Sequence, residues 1–241
     1  MARIELRDCT IRLKDGLSGS AVINEALPGA NGTDVDITTV VLNTDVTDLV
    51  PVGARFTVAN SAVIHVVTAR TPASNGPTTN IVFSPAWGVA PANADVLTFL
   101  PQQIEIKIGE GNLTYTEAKD YIYLLDRGLL DTVKEGDEQP LEISLEFVYE
   151  HVTTGTSEAI SPVDALKRKG AAEEWVSSSS DLCEPFSVDV EIEHVAPCGT
   201  SQNETTVMPD FRYDSLDFNL QDATIAVAGK CNTTEAITVR S

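Results

Sequence analysis

Between Leu141 and Tyr149 the chain reads LEISLEFVY, with Leu141, Ile143, Leu145, Phe147 and Tyr149 alternating against Glu142, Ser144 and Glu146. A period of two fits an extended strand with one face buried and the other wet. The pattern recurs at Ile104, Ile106 and Ile108 around Glu105 and Lys107. It returns at Phe186, Val188, Val190 and Ile192 around Ser187, Asp189, Glu191 and Glu193, predicting a strand over 186–194. Leu216, Phe218 and Leu220 mark another strand, and Ile225–Ala228 one more. Near the start, Ile4 and Leu6 share one phase while Cys9, Ile11 and Leu13 share the opposite one, so a β-bulge is expected near Asp8. A single helix is expected after Ser161, where a capping hydroxyl, Pro162 and Asp164 form a helix start. Its packing stripe, Val163, Leu166, Gly170 and Ala171, allows an extension as far as Trp175. The fold class is therefore mainly β.

A composition break divides the chain. From Ala26 to Pro101 there is no lysine and no glutamate, while seven of the twelve prolines fall there. Short β-rich runs (RFTVA, AVIHVVTA, NIVFS) are separated by the turn clusters PVG, RTPASNGP and PAWGVAPANA. Such a shift marks a separate module. The expected organisation is a small β-barrel or sandwich domain at 26–101, inserted into a host made of residues 1–25 and 102–241.

The chain carries 36 acidic and 16 basic residues, a net charge of -20. That disfavours binding to nucleic acid or anionic membranes, yet it suits a surface that nucleic acid must touch without sticking. No apolar run is long enough for a membrane span, and MARIELRDCT lacks the apolar core of a secretory signal. Cys9, Cys183, Cys198 and Cys231 form no CxxC pair, so reduced thiols are expected over zinc, with a Cys183–Cys198 bridge as the alternative. The sequons at Asn31, Asn112, Asn203 and Asn232 read as chance matches in a Thr-rich chain.

Catalysis finds little support. His65, His151 and His194 lie in separate segments and read as surface or strand-end residues. Gly16-Leu17-Ser18-Gly19-Ser20 fails the G-x-S-x-G nucleophile pattern, and Gly109-Glu110-Gly111 lacks the third glycine of a dinucleotide site. Asp34-Val35-Asp36 and Asp45–Asp48 could offer oxygen ligands to calcium but match no EF-hand, so solvated turn acids are expected. With aromatic residues at 6%, a sugar-stacking surface is weakly supported. No cofactor, metal or catalytic site is expected.

The stretch IKIGEGNLTYTEAKDYIYLLDRGLLDTVKEGDEQPLEISLEFVYE resembles the tail tube proteins of long-tailed, siphovirus-type bacteriophages. The matching elements are the strand into GEGNLTYTE, the DRG…LDTVKEGDEQP loop and the strand LEISLEFVYE. The helix ALKRKGAAEEW, the strand FSVDVEIEH and the closing DFRYDSLDFNL also fit, covering Ala2–Glu25 and about Gln102–Ser241. The segment VGARFTVA…HVVT…TTNIVFSPA resembles small β-barrel modules of phage structural proteins.

The resemblance implies a tail-tube β-sandwich or barrel flanked by one α-helix. It implies a virion protein, assembled in the bacterial host cytoplasm, that forms stacked hexameric rings. The rings would build the tail tube through which DNA is ejected, in contact with tape-measure, terminator and baseplate proteins and with no membrane. The acidic loop Asp126–Pro140, with Asp126, Arg127, Asp131, Lys134, Glu135, Asp137 and Glu138, would be an inter-subunit arm. Its acids would meet bases of a neighbour such as Lys134, Lys167, Arg168 or Lys169. Glu142 and Glu146, with Asp189, Glu191 and Glu193, are the candidates for a lumen that repels phosphates. Which sheet faces inward stays open. The alternatives are another ring-forming tail component, a terminator or baseplate hub, or a secreted β-sandwich binding module.

Overall fold

The computed structural model describes residues 8–24, 38–46, 50–59, 61–72, 79–87, 91, 94–108, 112–149, 160–181, 183–195 and 203–240. It is mainly β, with several antiparallel sheets and, among the described residues, one short α-helix. Among the described residues, no helix is long and apolar enough to cross a membrane. The chain divides into two compact units: Met1–Lys14 with Gln103–Glu173 and Ser177–Ser241, and Asp15–Gln102 with Glu174–Val176.

The first unit opens with β1 (Cys9–Lys14). The second supplies β2 (Ser20–Val22), β3 (Thr39–Leu42), β4 (Arg55–Val58), β5 (His65–Pro72), β6 (Thr79–Ser84) and β7 (Val96–Leu100). The first unit resumes with β8 (Gln103–Ile106), β9 (Leu113–Thr116), β10 (Lys119–Asp126), β11 (Leu129–Glu138) and β12 (Glu142–Val148). After α1 (Pro162–Lys167) come β13 (Val188–His194), β14 (Glu204–Asn219), β15 (Thr224–Lys230) and β16 (Ile237–Arg240).

The main sheet of the first unit runs β8-β1-β13-β14-β15-β12-β9, with β16 also paired to β14. Alternation in β12 places Ile143, Leu145 and Phe147 inward, opposite Gly229, Val227 and Ile225 of β15. In β1, Ile11 and Leu13 are buried against Ile192 and Val190 of β13. The longest strand, β14, serves two sets of neighbours. Its first half pairs with β13 and β16, its second half with β15.

Two irregularities shape β14. Val188 faces Phe211 while Val190 faces Met208, so Pro209 and Asp210 together stand opposite Asp189, one residue more than a regular ladder, and Asp210 takes a φ of 55°. Proline cannot donate to a ladder, and one extra residue bends the strand. The second shift lies between Tyr213 and Ser215, opposite Gly229 and Ala228. There the backbones approach so closely that a Cβ on Gly229 would stand 2.1 Å from the Arg212 carbonyl oxygen.

The helix begins where the sequence places it. The Ser161 hydroxyl accepts the Asp164 N–H at 3.0 Å, and Pro162 occupies the first turn. It does not continue to Trp175. Arg168 adopts the left-handed conformation (φ 51°), Lys169 is extended, and a separate 3-10 turn covers Gly170–Ala172. Ala165 and Leu166 are its buried residues. The expected bulge involving Ile4 and Leu6, the Gly109-Glu110-Gly111 segment and His151 lie outside the described residues.

The second unit is a six-stranded antiparallel sheet ordered β2-β7-β4-β5-β6-β3. An isolated bridge between Ile23 and Leu42 connects the two ends of that order. Asn24 donates to the Val41 carbonyl and Asn43 to that of Val22, each at 2.9 Å. The unit starts at Asp15, not at Ala26, because Leu17, Ala21 and Ile23 are buried in the same core as Phe56, Phe83 and Trp87. Composition could not reveal this, since Glu25 is simply the last glutamate before the break. Asp15 closes the base: its carboxylate accepts the backbone N–H groups of Leu17, Gln102 and Val176.

His65 is not a surface residue. It is fully buried, stacked on Phe56 at 5.3 Å and held by Phe83 and Trp87, and its Nδ1 donates to the Pro85 carbonyl at 2.8 Å. His194 ends β13, half-buried. Asp45 accepts the Thr79 hydroxyl at 3.0 Å, whereas Asp34, Asp36 and Asp48 lie outside the described residues.

Gly229→Ala is expected to lower the stability of the first unit by about 3 kcal/mol, because the new methyl group meets backbone that cannot rotate away. Thermal melting by circular dichroism checks this. An unchanged midpoint would show that β14 moves aside freely.

Candidate functional site

The segment expected to be an acidic loop is a β-hairpin. β10 and β11 pair antiparallel in a two-stranded sheet of their own, from Lys119 opposite Glu138 to Asp126 opposite Leu129. Arg127 and Gly128 make the turn, with φ of 52° and 85°. Two successive positive φ values give the turn whose twist matches that of paired strands, and glycine supplies the second at no steric penalty. Of the nominated arm residues, Asp126 ends β10 and Arg127 forms the tip. Lys134 and Glu135 face Ile122 and Tyr121, and Asp131 sits where the register shifts. Asp137 and Glu138 lie at the root.

Sequence reading missed the hairpin for a physical reason. KDYIYLLD has no alternation, because apolar residues occupy both faces of the ribbon. Tyr121, Tyr123 and Leu125 lie on one face and Ile122 and Leu124 on the other, with Val133 and Leu130 opposite Tyr123 and Leu125. All are exposed, reaching 64% at Leu125 and 75% at Leu129. The available signal was the Arg-Gly turn between two apolar runs.

The root of the hairpin is tethered. Lys119 pairs with Glu235 at 2.7 Å, and the Glu117 carboxylate accepts the Ala236 N–H at 2.9 Å. The Lys119 hydrogen bond holds the Glu235 carboxyl below its ordinary value. A cleft of about 510 Å³ beside the root is lined by Glu138, Gln139, Pro140, Cys231, Asn232, Thr233 and Thr234. Cys231 is no nucleophile there. Burial, reinforced by the charges of Asp189 and Asp210, pushes its thiol up to about 12. Cys183 is also a free thiol, and Cys198 of the Cys183–Cys198 alternative lies outside the described residues.

The five nominated sheet acids separate into two environments. Glu142 and Glu146 project from β12 on the face opposite the buried one. Glu142 is exposed and meets Lys230 at 3.0 Å. Their neighbours on that face are small: Ser144, Ala226, Ala228, Thr114 and Thr116 are all exposed.

The β13 acids are not a row of free charges. Glu191 is buried (7% exposed) and bonded to both Arg12 and Lys14. Glu193 also pairs with Arg12. Asp189 is half-buried and accepts the Asp210 N–H at 3.0 Å. Their cations stand on β1, remote in sequence and brought opposite only by the register Arg12–Glu191 and Lys14–Asp189. Also absent from the sequence reading is a polar knot in which Ser177, Ser178 and Ser179 engage Ser187, Asp210 and Glu184, with Arg212 on Glu184.

Burial holds the Asp189 carboxyl above its ordinary value, and the Asp210 charge adds to the rise. The Asp210 N–H, the Ser178 hydroxyl and Lys14 offset part of it. The folded chain thus holds this proton more tightly than the unfolded one. Asp189 therefore contributes stability in acid that is lost as pH rises through the raised value.

No family model matches the chain, and neither a curated protein nor a solved structure is significantly similar to it.

Asp189→Asn keeps an oxygen for the Asp210 N–H and removes the titration. Its melting midpoint is expected to exceed that of the wild type by a margin that widens between about pH 4 and about pH 7. A margin constant over that range would show a carboxyl that titrates as if solvated.

Proposed function

We propose that this chain is a structural virion protein, the tail tube subunit of a long-tailed bacteriophage, and that copies close into hexameric rings that stack into a conduit for DNA. The observation that carries the reading is the β10–β11 hairpin. A two-stranded ribbon is marginal in water by itself, and here both of its faces carry exposed apolar side chains. Covering one face would leave the other wet, so the ribbon is built to lie between neighbours.

Burying such side chains yields about 1–2 kcal/mol each. Over eight residues that is comparable to the ~4–15 kcal/mol lost on association. One hairpin contact is therefore weak. Ring closure makes it strong, because every subunit then gives and receives a hairpin.

Two further features support the reading. β9 and β8 end the main sheet's order, leaving strand edges that a ring of copies would pair. The exposed face of β12 and β15 carries small residues and acids, suited to contact with a sliding polyanion. We place the lumen on this Glu142/Glu146 face and not on β13, where cations already neutralise Glu191 and Glu193. The second unit is read as a small β-barrel module carried by the tube subunit.

Electron microscopy of the purified chain at high concentration tests the class. Open-ended tubes are expected; single rings that never stack would favour a terminator or baseplate hub, and a monomer at all concentrations would exclude the tube.

Replacing Tyr121–Glu135 with a short Gly/Ser linker is expected to give a folded, soluble monomer. Sedimentation velocity reads the outcome, and wild-type polymerisation of this variant would remove the hairpin from assembly. Separately, Glu142→Lys with Glu146→Lys should leave tubes intact but make them retain DNA in a filter-binding assay. Tubes that retain no more DNA than the wild type would move the lumen to another face.

A further inference from the structure

We propose that the acidic hairpin of one copy docks on a basic, aromatic patch of the next copy, formed by Lys167, Arg168 and Lys169 with Tyr149, Phe218 and Leu220. The inference rests on the self-assembly reading and names the receptor surface for its arm.

Lys167, Phe218 and Tyr149 form one contiguous cluster. The Lys167 ammonium sits 5.2 Å from the Phe218 ring centre, and the Tyr149 and Phe218 rings meet edge-on at 6.1 Å. Leu220 follows two residues after Phe218 and is 77% exposed. Phe218 lies opposite Ile225, which also faces the buried Phe147. Phe218 therefore belongs to the same sheet face as the core, yet it remains 46% exposed. Alternation selected these residues for burial, but the chain itself does not finish covering them. An apolar surface at the rim of a core, bordered by charge, marks a place where another surface closes.

The charge pattern says which surface. Lys167–Lys169 are the only three consecutive basic residues in a chain of net charge -20. Arg168 and Lys169 are exposed, the former held in a left-handed turn over the Phe186 ring. Lys119–Glu138 carries six acidic against three basic residues. Its exposed side chains at Tyr123, Leu125, Leu129 and Leu130 complement Phe218 and Leu220, while Asp131, Glu135 and Asp137 complement the three bases. With about 3.3 Å per residue, the eight residues of β10 span roughly 25 Å, enough to cross onto a neighbour. A second copy thus offers both the apolar ribbon and the acids that this patch lacks.

A charge swap tests the pairing. Lys167→Glu, Arg168→Glu and Lys169→Glu together should abolish tube formation, as should Asp131→Lys, Glu135→Lys and Asp137→Lys. Both sets in one chain restore complementarity and should restore tubes by electron microscopy and sedimentation. Circular dichroism melts confirm that each variant is folded. A folded patch variant that assembles like the wild type overturns the proposal, and so does a combined variant no better than either set. Both outcomes leave the tube reading standing, because wild-type tubes would still form; a wild type that never assembles removes both.

Should the patch variant fail to fold, cross-linking decides. Leu129→Cys and Leu220→Cys are made in separate chains that carry Cys183→Ser, then mixed with a short bismaleimide. A cross-linked heterodimer is expected, and its absence overturns the proposal.

Discussion

The first unit depends on one long strand serving two sets of neighbours. β14 donates its first half to β13 and β16 and its second half to β15, so it joins the β1–β13 part of the sheet to the β12–β15 part. A regular strand of that length would keep every neighbour in one plane. The extra residue at Pro209–Asp210 and the shift at Tyr213–Ser215 break that regularity. At the second break, Gly229 allows close backbone passage. Core burial on both sides of these breaks then follows from alternation, with Met208 and Phe211 on one side and Ile225 and Val227 on the other.

Charge is used in two ways on this framework. On β1 and β13, Arg12 and Lys14 meet Glu191 and Glu193, an arrangement that satisfies the buried Glu191 carboxylate and fixes register. On β12 and β15 only Lys230 opposes the acids, and the surrounding residues are small. A face of the first kind belongs to the fold, and one of the second kind is free to act on something outside. The proposed lumen follows from that contrast.

The same reasoning applies to apolar surface. Exposed single hydrophobics need no explanation, since much of any protein surface is apolar. A ribbon apolar on both faces and an aromatic rim left open at the end of a core are different, because each is a contiguous surface that water wets at a free-energy cost. Their charges are opposite. The proposed self-assembly needs such a pair, because one surface must be given and another must receive.

The strands over β12 and β13, the cap at Ser161 and a composition break falling within the second compact unit were all legible in the chain. Each depends on local chemistry: period-two burial, a hydroxyl facing a helix start, and a stretch without lysine or glutamate. The start of the second unit at Asp15 was not legible, because β2 joins it by pairing with β7, far away in sequence. Nor was the end of the helix, where Arg168 adopts a left-handed conformation despite its Cβ. The hairpin escaped because a ribbon exposed on both faces has no alternation to read. Phe218 and Leu220 show the opposite failure: alternation identified their face, but only tertiary structure decides whether a face is covered. The neutralised acids of β13 were hidden for the same reason. Sequence determines what each residue can do locally, whereas the partner of a charge or an apolar face is set by strand register, which joins residues as distant as Arg12 and Glu191.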